Sequence, residues 1–175
     1  MDQGADAAPL ARRQLLTHLS VVLDMTDSAP TPIHRIRLRG PWEWAVPTLK
    51  AAQAWTWNRI RLPDEWDRLP VIAGPVWFRR RFQTPTGILE TDRVRVLLSP
   101  SREIPAVMLN GRELTALPAS AKDEERMIRF DIQSALSSRS NLLEIVFAAG
   151  ITAPDLDGGL GHPVLIEIES QPLTA

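Results

Sequence analysis

Short runs in which apolar and polar side chains alternate make up most of the chain after residue 32. Successive side chains of a β-strand point to opposite faces, so this alternation predicts strands with one face in a core. Fifteen prolines are spread along the chain, and proline disfavours long helices and the interior of sheets. The pattern predicts an all-β protein, an antiparallel sandwich or jelly roll of short strands. The runs are IHRIRL (33–38), NRIRLP (58–63), VWFRRRF (76–82), RVRVLL (93–98), AVMLN (106–110), MIRFDI (127–132), LLEIVF (142–147) and VLIEIE (164–169).

Two local signals sit between these runs. Asn110-Gly111 can supply the two positive φ angles of a type I′ turn, so we expect Val107–Leu109 to pair with Arg112–Leu114. The stretch DIQSALSSRSN (131–141) predicts a single helical turn between two strands.

The first 32 residues follow a different pattern. Leucines and valines between Leu15 and Leu23 are spaced as on one face of a short helix, although the Val21-Val22 pair also suits a strand. This stretch is too short to cross a bilayer, and polar residues interrupt it as a signal sequence. We expect an N-terminal helical or extended segment with a linker (1–32), one domain (33–170) and a tail (171–175). We expect a cytoplasmic protein, with secretion as the alternative.

Three consecutive arginines stand inside the aromatic run VWFRRRF. The formal net charge of −1 gives the chain no general attraction for nucleic acid or anionic lipid, so a strand explains the arginines better than a phosphate-binding patch. Alternation places Arg79 and Arg81 on the outer face and Arg80 on the core face, between Phe78 and Phe82. An unpaired buried guanidinium is costly, so we expect Arg80 to have a carboxylate partner or a cage of carbonyls.

Read in order, these segments resemble the N-terminal sugar-binding domain of glycoside hydrolase family 2. RGPWEWAV (39–46) is similar to the family's opening strand, and WNRIRLPDEW (57–66) to the strand, proline and tryptophan that follow it. GPVWFRRRF (74–82) is similar to the family's most recognisable stretch, with Phe78 where the family commonly has tyrosine. The resemblance continues through VMLNG (107–111), IRFDIQSAL (128–136), SNLLEIVF (140–147) and GGLGHPVLIEI (158–168), and covers residues 34–169.

This resemblance implies a jelly roll of the galactose-binding-domain-like type and a non-catalytic role. The family's catalytic carboxylates lie in a separate barrel of about 250 residues, and none can be transferred to this chain. The chain itself contains no G-x-S-x-G, H-E-x-x-H, P-loop or G-x-G-x-x-G motif and no cysteine, so no nucleophile, zinc-protease or nucleotide-binding signature is present. We therefore predict no catalytic residues.

The tryptophans provide the best ligand candidate. The resemblance assigns packing roles to five of them (Trp42, Trp44, Trp57, Trp66 and Trp77) and leaves Trp55, in the predicted loop AAQAWTWN, to stack on a sugar ring. We expect Asn58, Asp155 and His162 to be the polar residues beside it. Asp155 and Asp157 could also offer oxygen ligands to calcium, but the rest of a calcium loop is missing, so no metal or cofactor is expected.

Two functions are consistent with this sequence. The first is a carbohydrate-binding or accessory module, as the resemblance implies. The second is a protein-interaction or assembly module on the same jelly roll, with a protein partner or a second copy of the chain, because a fold does not by itself determine a function. A small hydrolase has no nucleophile–base arrangement to support it, and neither nucleic acid nor membrane is an expected partner.

Overall fold

The computed structural model describes residues 32–47, 55–99, 105–119, 127–148, 150–151 and 159–171. Almost all of the regular structure in these ranges is β-strand. The strands are β1 (Ile33–Arg37), β2 (Pro41–Ala45), β3 (Asn58–Arg61), β4 (Ile72–Ala73), β5 (Val76–Gln83), β6 (Arg93–Leu98), β7 (Ala106–Leu109), β8 (Arg112–Leu114), β9 (Ile128–Asp131), β10 (Ser140–Phe147), β11 (Gly150–Ile151) and β12 (Leu165–Glu169). Short 3-10 turns cover Trp66–Arg68, Gln133–Ala135 and Gly159–Gly161.

The strands form two main antiparallel sheets. One sheet has the order β1-β12-β6-β9, the other has the order β3-β2-β5-β10-β7-β8, and β4 and β11 form a small separate pair. A single cluster of buried apolar side chains draws on both main sheets, for example Val94 and Phe130 from the first, and Phe78 and Ile145 from the second. The all-β antiparallel sandwich predicted from the sequence is confirmed.

The predicted core faces are also confirmed. Along β10, for instance, Leu143, Ile145 and Phe147 are buried and the residues between them are partly exposed. Glu167 lies on the face of β12 opposite the core residues Ile166 and Ile168, but it is only 2% exposed. Its neighbours across the strands are Arg35 and Arg95, and they give the carboxylate ion pairs of 3.0 and 3.3 Å.

The predicted turn at Asn110-Gly111 is present between β7 and β8. Both residues have positive φ, 54° and 80°, and Leu109 pairs with Arg112 as expected. The Asn110 side chain ties the turn to β10, because its Oδ1 accepts from the Leu142 N–H at 2.9 Å. Its Nδ2 donates to Oδ1 of the buried Asn141, also at 2.9 Å.

The predicted helical turn within 131–141 is the 3-10 turn at Gln133–Ala135. The N-terminal prediction for Leu15–Leu23 and the tail 172–175 lie outside the described residues. Within the described ranges no helix is long and apolar enough to cross a membrane.

Candidate functional site

Three tryptophan rings meet on the outer face of the six-stranded sheet, and we call Trp55, Trp57 and Trp77 the tryptophan cluster. The Trp55 ring lies 5.7 Å from that of Trp57 and 5.0 Å from that of Trp77, centroid to centroid. All three side chains are partly exposed. They therefore form an apolar surface that a ligand can reach.

Strand geometry explains why this cluster faces outward. In β5, Val76 and Phe78 are fully buried, so Trp77 between them points away from the core. Trp57 comes directly before β3 and lies two residues from Arg59, which pairs with Glu43 on the outer face. Trp55 lies a further two residues back, and it reaches both of the other rings.

An ion pair lies at the edge of the cluster. The Arg79 guanidinium carbon lies 3.6 Å from the centroid of the Trp57 ring, which is a close cation–π contact. Arg79 Nε also donates to Glu43 Oε2 at 2.7 Å, with side-chain exposures of 29% and 38%. The cluster thus has an apolar floor and, next to it, a fixed donor and a fixed acceptor that solvent still reaches.

Two of the other predicted site residues, Asn58 and His162, are described by the structure, and neither side chain joins this cluster in it. Asn58 is exposed in β3 and pairs with Trp44, so it lies on the opposite face of the strand from Trp57. His162 is exposed between the turn at Gly159–Gly161 and β12, in the other sheet. Asp155 lies outside the described residues, so its predicted place beside Trp55 stays a prediction.

The packing roles assigned to the tryptophans are right for some and wrong for others. Trp42 and Trp66 are buried, and Trp44 packs against the core. Trp57 and Trp77 are partly exposed and belong to the cluster instead. The sequence contained a signal for this, because alternation along VWFRRRF places Trp77 on the same face as Arg79.

Arg80 is on the core face, as predicted, but the partner predicted for it is not found among the described residues. Its Nε and Nη1 are enclosed and have no hydrogen-bond partner. Loss of water around the side chain lowers the pKa of the Arg80 guanidinium below its usual value. The residue opposite Arg80 on β10 is Leu143, which has no side-chain acceptor to offer.

The described part of the chain contains no candidate metal site. No three histidine, aspartate or glutamate side chains lie together there in a way that could hold a metal. Asp155 and Asp157, the calcium candidates, lie outside that part of the chain.

The fold matches that of several solved glycoside hydrolases. A β-glucuronidase from Bifidobacterium dentium, complexed with coumarin-3-O-glucuronide, gives a TM-score of 0.56 at 16% identity over 81% of this chain and 30% of that one. A β-glucuronidase from an uncultured Clostridium gives 0.57 at 14% identity, over 79% of this chain and 29% of that one. A glycosyl hydrolase family 2 member from Bacteroides cellulosilyticus gives 0.54 at 12%, over 77% and 20%. No family model and no curated protein matches the sequence.

The chain shares its fold with a part of these glycoside hydrolases. At these identities the likeness is one of fold, and a shared fold leaves the function open. The module spans less than a third of the length of each of these three enzymes. What it binds must be argued from its own surface.

Proposed function

We propose that this chain is a non-catalytic carbohydrate-binding or accessory module that holds a saccharide on the tryptophan cluster. The observation that carries the proposal is the exposed surface of Trp55, Trp57 and Trp77 beside the Arg79–Glu43 ion pair. The fold shared with glycoside hydrolases makes a sugar the first ligand to test.

The chemistry of a pyranose fits such a surface. One face of the ring presents C–H groups, which pack against the negative face of an indole ring, while the hydroxyls around its rim need hydrogen-bond partners. Here Arg79 can donate to a hydroxyl oxygen and Glu43 can accept from a hydroxyl. Both side chains are already held in place, by each other and by Trp57, so binding a sugar costs little of their conformational entropy.

The carboxylates near the cluster do not resemble a glycosidase pair. Glu43 and Glu144 both lie across from Arg79, on the strands that flank β5. Two strand spacings separate their backbones by roughly 10 Å, and Arg79 lies between them. In glycoside hydrolysis two carboxyl groups flank the scissile bond, whereas here Arg79 stands between the two glutamates and is paired with Glu43. This arrangement supports binding without hydrolysis.

The test is a fluorescence titration of the full chain with a panel of galactosides, glucuronides and mannosides. We expect a saturable change for at least one sugar, lost in Trp55→Ala and largely kept in Trp55→Phe, because phenylalanine preserves an aromatic face. Leu89→Ala removes an exposed apolar side chain elsewhere (Leu89 is 54% exposed) and should bind as the wild type does. If no sugar changes the fluorescence at millimolar concentration, the proposal is wrong.

A second candidate, docking of a protein partner, is favoured by one observation. The neighbouring strand β10 adds Leu142 and Val146 to the same outer face, both partly exposed, beside Arg81 and Trp77. A flat, partly apolar sheet face is suited to another protein surface. Native mass spectrometry separates the two functions, since a stable dimer that Val146→Glu dissociates, together with no sugar response, would favour docking.

A further inference from the structure

A cleft of about 470 Å³ opens at the side of the sandwich, where β1 of one sheet approaches the second half of β5 in the other. It lies on the core side of β5, whereas the tryptophan cluster lies on the outer side. Its lining residues are Ile36, Arg37, Leu38, Arg80, Arg81, Phe82, Gln83, Thr84, Pro85, Ser140 and Ile166.

The Arg80 guanidinium in this cleft has unused hydrogen-bond donors. Nε and Nη1 have no partner, and Nη2 is not among the enclosed atoms. The main chain of Gly40 covers one side of the group: a Cβ added there would stand 3.4 Å from Nη1 and 3.6 Å from Nη2. The guanidinium carbon of Arg80 lies 6.0 Å from the centroid of the Trp42 ring. Two enclosed donors without a partner are unfavourable for the folded protein unless something else accepts from them.

The charged residues among the described lining of the cleft are all arginines, Arg37, Arg80 and Arg81. Arg80 is on the core face of β5, whereas alternation puts the Arg81 side chain on the outer face. None of the described lining residues is acidic. Elsewhere on the sheets the structure pairs arginines with carboxylates, as it does Arg79 with Glu43 and Arg95 with Glu167. The described lining therefore offers positive charge and no negative charge, with Arg80 as the arginine on the core face of β5.

We propose that this cleft binds the carboxylate of a small organic molecule, with Arg80 as its counter-ion. A guanidinium forms two parallel hydrogen bonds to a carboxylate, which would use the idle donors. The remaining walls are largely apolar, from Ile36, Leu38, Phe82, Pro85 and Ile166, and suit an organic body better than a hydrated inorganic ion. The uncharged polar residues among the described lining are Gln83, Thr84 and Ser140.

The proposal does not depend on sugar binding at the tryptophan cluster. The ligand's body could be apolar or hydroxylated, and matched probes distinguish the two. For an apolar body, the charged probe is cyclohexanecarboxylate and its neutral counterpart is cyclohexanecarboxamide. For a hydroxylated body, the charged probe is glucuronate and its neutral counterpart is glucose. Inorganic phosphate reports on anions in general.

The experiment is calorimetric titration and thermal denaturation of the full chain at fixed ionic strength. We expect at least one of the two carboxylates to bind at least tenfold more tightly than its neutral counterpart and than phosphate, and to raise the melting temperature. The same result should hold in Trp55→Ala, which distinguishes this site from the tryptophan cluster. Arg93→Gln, which removes an exposed arginine from the other sheet, should bind as the wild type does.

Variants of Arg80 decide the outcome. Arg80→Met should lower the affinity for the carboxylate at least tenfold. Without ligand this variant should melt no lower than the wild type, because it lacks the guanidinium whose Nε and Nη1 have no partner. Arg80→Lys keeps the positive charge but loses the planar guanidinium that can form two parallel hydrogen bonds. It should therefore bind the carboxylate more weakly than the wild type does. The proposal is wrong if the acid binds no more tightly than its neutral counterpart or than phosphate. It is also wrong if Arg80→Met binds the acid as tightly as the wild type does, or if that variant melts well below the wild type.

Discussion

At the scale of single residues, Glu167 shows how a charged side chain becomes part of the interior. Its carboxylate is 3% exposed, while its partners Arg35 and Arg95 are 36% and 18% exposed. Arg95 Nη1 also lies 2.9 Å from Glu169 Oε2. The two arginines on either side compensate for the loss of water around Glu167, which neither could do alone.

Replacing Glu167 should therefore be costly. We expect Glu167→Gln to lower the free energy of unfolding by about 2–3 kcal/mol, because the amide keeps the shape but removes the buried charge that both Arg35 and Arg95 contact. The matched control is Glu169→Gln, whose carboxylate is 20% exposed and which should cost less than about 1 kcal/mol. Urea denaturation measures both, and equal effects would show that burial of Glu167 is not what matters.

At the scale of elements, β5 contributes side chains to the core on one face and to the tryptophan cluster on the other. Phe78 and Phe82 are buried toward the core, with Arg80 between them, while Trp77 and Arg79 face outward into the tryptophan cluster. One strand thus contributes to both proposed binding sites. Because side chains alternate, a shift of one residue in its pairing with β10 would exchange the two sets.

The turn between β7 and β8 sets which residues of those two strands pair with each other. Gly111 has φ of 80° and open space around it, so substitution there is penalised by backbone conformation and not by a clash. We expect Gly111→Val to destabilise the protein by about 1–2 kcal/mol, since a β-branched residue resists positive φ. Arg112→Val, one residue further in β8, should be nearly neutral. A melting temperature unchanged by Gly111→Val would count against this explanation.

At the scale of the whole molecule, β12 links the beginning and the end of the sandwich. It lies between β1 and β6 in the four-stranded sheet and contributes Ile166 and Ile168 to the core. The sheet is therefore complete only when the last strand of the chain is in place, and its contacts are non-local, which favours slow folding.

Truncation tests this dependence directly. Ending the chain after residue 163 should abolish cooperative folding, because β1 and β6 both lose their shared partner and the core loses one wall. Ending it after residue 171 keeps β12 and should leave the melting temperature within a few degrees of the full chain. Circular dichroism during heating distinguishes the two, and a cooperative transition in the shorter chain would contradict the role given to β12.

The sequence by itself determined the features that depend on neighbours along the chain. Alternation of side chains is a local property with a period of two, so it identified the buried faces of β10 and β5 and the inward position of Arg80. The Asn110-Gly111 turn could be predicted for the same reason, because its φ angles are a property of two residues.

Only the tertiary structure decided what those faces meet. Alternation gives the side of a sheet but not the strand beside it, so it placed Glu167 on the outer face and could not foresee its pairing with Arg35 and Arg95. It likewise could not bring Trp55 onto Trp77, or show that Arg80 does not find the expected partner among the described residues. These contacts join residues far apart in the chain, and they exist because closing the sandwich sets which strands become neighbours and which donors are left without an acceptor.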